Sequence, residues 1–240
     1  MKLGEKIKSA IALRGLILRA AIFGAVWFFL PKWVFLLVGI YFYFFPFFRP
    51  LKLAIPFLLT IFFAVIEPQS IWQAAFFSVL FYLILGIKDL IFINRRSAYE
   101  VLVLLLLFLV FVSFFSHIDN WNRSPVFFYT FALGAAFFFL IRGFITYSET
   151  TELKEGPAIW RRELALGIAA LLVWQISLAL LFLPLNFLYQ SALSFLVATI
   201  FVEVISDYLS GSLSRKKLLA NFSVFFILVV VILGLAEWGL

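Results

Sequence analysis

From residue 14 onward the chain is a succession of long apolar stretches separated by short basic turns, and this alternation excludes most folds. We read nine stretches, at 14–30, 33–48, 53–66, 70–87, 98–117, 125–144, 163–183, 187–208 and 219–238. A helix that crosses a bilayer needs roughly 17–25 mostly apolar residues. In hydrocarbon the backbone must satisfy its own hydrogen bonds, so such stretches are expected to be helices. The alternating apolar and polar pattern of an outer-membrane barrel is not seen. With 65% hydrophobic and 13% charged residues, the chain departs far from the roughly 45–50% and about 25% of soluble domains. The expected fold is an all-α, polytopic transmembrane helical bundle with about nine spans. It forms a single membrane domain over residues 1–240, because no polar region is large enough to fold separately.

The second and third stretches are short and carry Pro46 and Pro56. Proline lacks an N–H and bends or ends a helix unless it sits near the start. Either stretch is expected to be tilted, broken or re-entrant.

The basic residues orient the bundle. With the N-terminus in the cytoplasm, the inner side holds Lys2, Lys6, Lys8, Arg14, Arg19, Arg49, Lys52, Lys88, Arg95, Arg96, Arg142, Lys154, Arg161, Arg162, Arg215, Lys216 and Lys217. Of nineteen cations, only Lys32 and Arg123 fall outside. Basic residues mark cytoplasmic loops, and losing one span would reverse every later loop. The C-terminus is then expected outside, and the location is a cell membrane, in a prokaryote the cytoplasmic membrane. Residues 1–19 resemble the charged start of a signal peptide, but the apolar run continues and no small-residue cleavage site stands out. We read a retained anchor. The net charge of +7 is read as topology and not as nucleic-acid binding.

Residue counts exclude several chemistries. There are no cysteines and one histidine, His117. Disulfides, thiolate nucleophiles, Cys-based metal sites and paired-His sites are therefore out. No Walker loop, GxGxxG or HExxH occurs. We expect no catalytic residue, metal site or cofactor.

The polar residues near the spans carry what functional signal remains. Glu203 and Asp207 lie four residues apart and share a helix face. Glu203 should sit about 6 Å deeper than Asp207. A carboxylate in lipid costs about 2.5–3.5 kcal/mol on insertion scales, so it should face the interior, pair with a cation or be protonated. Arg19 and Arg142 are the candidate partners. The group reads either as an interhelical salt bridge or as a proton or cation site. Arg95, Arg96, Arg161 and Arg162 are candidate lipid-headgroup contacts, and Glu100 and Glu163 complement helix N-termini. The loop 147–162, with Glu149, Glu152 and Glu155, reads as a solvated face or a docking site for a protein partner. The outer loop 117–125 reads as turn chemistry around an interfacial Trp121. Ala20 with Gly24, Ala132 with Ala136, and Ala165 with Ala169 are expected helix-contact surfaces.

A weak echo links Gln73 and Asp89 with Gln190 and Asp207, at spacings of 16 and 17. It reads as a parallel repeat of four helices or as shared membrane grammar. Three functional classes follow. The first is a small transporter or the membrane subunit of a transport complex. The second is a non-catalytic membrane scaffold or assembly protein, and the third a membrane enzyme acting on lipid. Beyond the bilayer itself, partners are open.

Overall fold

The structure, a computed structural model, describes residues 3–45, 53–89, 91–92, 94–118, 126–148 and 157–236. Nine helices run through these residues: α1 (Leu3–Phe29), α2 (Lys32–Phe44), α3 (Ala54–Ile66), α4 (Ile71–Lys88), α5 (Arg95–His117), α6 (Val126–Ser148), α7 (Pro157–Leu180), α8 (Phe187–Leu209) and α9 (Arg215–Leu235). Six of them, α4 to α9, are long and apolar enough to cross a membrane. Each of the nine expected stretches meets one helix. α2 and α3 have only 13 residues each, about 20 Å at 1.5 Å per residue, against a hydrocarbon core of about 30 Å. α2 ends at Phe44, before Pro46, which lies outside the described residues.

Helix starts follow local chemistry. Ser70, Asn186 and Ser214 precede α4, α8 and α9, and each side chain accepts a backbone N–H of the first turn. These groups have no partner within the helix itself. Asn94 does the same for Ser97 at the start of α5. α8 closes through Gly211, whose φ of 67° is left-handed and suits a residue without a Cβ.

The chain forms two compact units, residues 1–106 and 107–240, with the boundary inside α5. In the first, α1 packs mainly on α4, with α2 and α3 alongside. The approach is close at Gly24: a Cβ there would stand 1.9 Å from Ser78 Oγ and 3.0 Å from the Ala74 carbonyl. Ala20 is buried on the same helix, so the expected Ala20–Gly24 surface does face a neighbour. Rings fill the core, where Phe23 stacks on Phe81 and Tyr43 on Phe57, and Trp27 tilts against Phe77.

In the second unit α6 packs on α7, α7 on α8 and α8 on α9. The α6–α7 approach centres on Gly134, where a Cβ would lie 3.0 Å from Trp174 Cβ and 3.1 Å from the Ala170 carbonyl. Of the expected Ala132–Ala136 contact surface, Ala132 is exposed and Ala136 half-buried. The contact face lies on the opposite side of the helical wheel, about 200° from Ala132, where Trp174 fills the space over Gly134 and donates to Thr130 Oγ1 at 3.2 Å. The second half of α5 meets α8, with Phe108 edge-on to Phe195 and Ser191 donating to the Phe111 carbonyl.

Candidate functional site

A helix too short for the bilayer leaves carbonyls at its end that water cannot reach, and these need donors. In the first unit α2 and α3 receive them from distant side chains. Lys88, at the end of α4, has a wholly buried side chain. Its Nζ donates to the Tyr43 carbonyl in the last turn of α2 at 2.5 Å. The same ammonium lies 3.2 Å from Asp89 Oδ1 and 5.5 Å from the centre of the Tyr43 ring. Asp89 Oδ2 is 3.5 Å from Arg19 Nη1 on α1. One carboxylate thus gathers two cations from two helices, and the lysine also neutralises the negative end of a third. An ammonium has three donors, and this one is enclosed by a carbonyl, a carboxylate and an aromatic face. The arrangement holds helices together and leaves no amine free for a nucleophilic role.

At the other end of the same unit, Trp27 Nε1 donates to the Ala64 carbonyl at 2.5 Å, and Lys32 Nζ donates to the Val65 carbonyl. Both carbonyls belong to the last turn of α3. Gln69 Nε2 donates to the Trp27 carbonyl at 2.9 Å, and Gln73 Nε2 to the buried Glu67 at 3.2 Å.

Within each unit, the residues singled out from sequence have separate surroundings. Arg19 is engaged by Asp89 in the first unit. Arg142 of α6 meets Glu163 of α7 at 3.2 Å, and Arg162 donates to the same oxygen at 2.9 Å. Asp207 accepts from Ser212 at 2.7 Å and from Lys217 of α9 at 3.4 Å. Glu203 is exposed and accepts from Asn221 of α9 at 2.9 Å. In the second unit, Arg142, Asp207 and Glu203 each bond to the next helix in sequence. The reason is geometric: α6 packs on α7 and α8 on α9, which brings their polar groups within reach of one another. Arg95 is half-buried and Arg96 exposed at the start of α5, and Arg161 is exposed in the first turns of α7. The acidic stretch 149–156 and loop residues 119–125 lie outside the described residues.

Gln190 Nε2 donates to the Leu180 and Leu183 carbonyls where α7 ends, and Tyr189 to the Leu235 carbonyl at the end of α9. Gln73 and Gln190, the two glutamines of the sequence echo, therefore both secure connections. Asp89 and Asp207 both hold cations.

α7 and α8 leave an apolar groove between them of about 340 Å³, lined by Arg161, Leu164, Ala165, Ile168, Ala169, Leu172, Phe201, Val204, Ile205 and Tyr208. Among the described residues no group of three His, Cys, Asp or Glu side chains could hold a metal ion. No family model, curated protein or solved structure matches the chain.

Proposed function

We propose that this chain is a multi-pass membrane protein that acts as a non-catalytic assembly subunit, docking to a membrane helix of another protein along the α8–α9 seam. One observation carries the reading. Glu203 of α8 and Asn221 of α9 form a polar pair across the seam at 2.9 Å, and α9 leaves Phe222, Phe226 and Val230 exposed. No residue of α9 is buried. A carboxylate facing hydrocarbon is costly, and a partner helix laid over the seam would withdraw it from lipid and add interhelical hydrogen bonds. The basic helix ends support the orientation with the N-terminus cytoplasmic and the C-terminus outside. The charges among the described residues support assembly over catalysis, since Lys88, Asp89, Arg142, Glu163, Asp207 and Lys217 are all committed to ties between helices.

The test is site-specific photo-crosslinking from position 222 or 226 in native membranes, followed by purification in mild detergent. A discrete adduct with another membrane protein is expected, and it should weaken in Glu203→Leu. Labelling of lipid alone at both positions would reject docking. Orientation is tested separately. The chain has no native cysteine, so cysteines introduced at 97 and 215 can be labelled without background. Both should react with an impermeant maleimide from the cytoplasmic side.

Transport is the second reading, favoured by the shared face of Glu203 and Asp207. A Glu203→Gln variant with an unchanged pH profile of solute flux in proteoliposomes would exclude a proton-coupled role for Glu203.

A further inference from the structure

The groove between α7 and α8 is chemically graded along its length. Its lower part is lined only by aliphatic side chains and Phe201, and Arg161 and Tyr208 stand at one end. The hollow exists because Ala165 and Ala169 present methyl groups where larger side chains would meet α8. Along α7 the lining runs from Arg161 to Leu172, about 16 Å at 1.5 Å per residue. That is close to half of a hydrocarbon core of about 30 Å, the depth of one leaflet. No carboxylate among the described residues pairs with Arg161, whereas its neighbour Arg162 is held by Glu163. Trp160, one residue before, is exposed, as expected of a ring at the interface between hydrocarbon and headgroups.

From this gradient we infer that the groove is a binding site for one anionic phospholipid. An acyl chain lies along Ala165, Ala169 and Leu172, and the phosphate is held by the Arg161 guanidinium and the Tyr208 hydroxyl. The volume falls within the roughly 300–1,000 Å³ range of ligand sites. A planar guanidinium matches phosphate oxygens two at a time, and a phenol adds one donor. Neither group provides a nucleophile or a general base positioned for hydrolysis, and Glu163 is already bonded to Arg142 and Arg162. The site therefore retains its lipid and does not process it. The occupant supplies the anion that Arg161 lacks among the described residues, and its chain fills the space beside the two alanines.

The experiment is native mass spectrometry of the full-length chain released from detergent, after equilibration with dioleoyl phosphatidylglycerol, with dioleoyl phosphatidylcholine, or with glycerol 3-phosphate. One phosphatidylglycerol should be retained in preference to phosphatidylcholine, with no retention of glycerol 3-phosphate. Arg161→Gln should weaken retention about fivefold, the scale of one cation near an anionic lipid surface. Arg161→Lys should keep part of it, and Arg215→Gln, which removes a charge outside the groove, should leave it unchanged. Ala169→Leu should reduce the retention of phosphatidylglycerol by occupying the chain's path. Should Ala169→Leu fail to fold, Leu172→Trp gives the same readout from the groove's far end. Equal retention of the two lipids, binding of glycerol 3-phosphate alone, or equal loss in Arg161→Gln and Arg215→Gln would each overturn the assignment.

Discussion

The two units solve the same problem, ending helices inside an apolar medium, with opposite materials. The first buries charge. Lys88, Asp89 and Arg19 form a connected ionic group, and the short α2 and α3 depend on lysine and tryptophan donors. The second mostly uses long helices, ends two of them with the neutral donors Gln190 and Tyr189, and keeps its ion pairs partly exposed. Length accounts for the contrast. A helix of 21–24 residues carries its ends out to the polar region of the bilayer, where water and headgroups satisfy them. A helix of 13 residues leaves at least one end behind, and that end must be served from within the protein.

The largest expected effect comes from removing the buried lysine. Lys88→Met leaves Asp89 with Arg19 alone and uncaps α2, and breaking a buried pair costs about 3–5 kcal/mol. A thermal melt in detergent should show it. Lys88→Met combined with Asp89→Asn should recover part of the loss, because no unpaired charge then stays buried. Equal melting of the single and double variants would mean that the ionic group does not set the stability of the first unit.

The next test compares the two close approaches. Gly24→Ala and Gly134→Ala should each destabilise by about 1–3 kcal/mol through overpacking. Ser78→Ala should restore much of the Gly24→Ala loss, since its hydroxyl is the nearest obstacle. At Gly134 the obstacles are a carbonyl and a Cβ, and removing a hydroxyl offers no such rescue. Melting temperatures of the three variants decide it.

Smaller effects are expected in the second unit. Arg142→Gln should cost about 0.2–1 kcal/mol, as for an exposed pair. A double-mutant cycle with Glu163→Gln would raise that figure if the pair were as important as the one at Lys88. A similar effect is expected of Asn221→Leu, at about 0.6 kcal/mol, the average for a hydrogen bond between membrane helices, read from the unfolding midpoint in mixed micelles.

Much of this contrast was legible in the order of residues, and its most consequential part was not. Stretch lengths placed the helices to within a few residues at most ends, because apolar runs are local signals. α1 departs furthest, beginning at Leu3 where the apolar run suggested 14; a helix extends through lysines as readily as through leucines, so hydropathy cannot mark its start. The shortness of α2 and α3 was announced by Pro46 and Pro56. Their remedy was hidden, since Lys88 serves a carbonyl 45 positions earlier and Trp27 one 37 positions later. Lys88 looked like one more orienting charge, and Lys32 like an exception to the charge pattern, yet both close helix ends. A contact of Glu203 was hidden for a related reason. Charge attraction pointed to arginines, but Asn221, on the next helix in sequence, lies within hydrogen-bond reach.

The Lys88–Tyr43 bond also has a bearing on biogenesis. The ribosome makes the Tyr43 carbonyl 45 residues before the amine that donates to it. At roughly 5–20 residues per second, the exposed terminus of α2 waits several seconds for its donor. During that interval the α2–α3 hairpin is not at ease in bulk lipid, so its release from the insertion machinery is coupled to the arrival of α4. Nascent chains arrested before residue 88 should stay crosslinkable to that machinery, and chains arrested well beyond it should not.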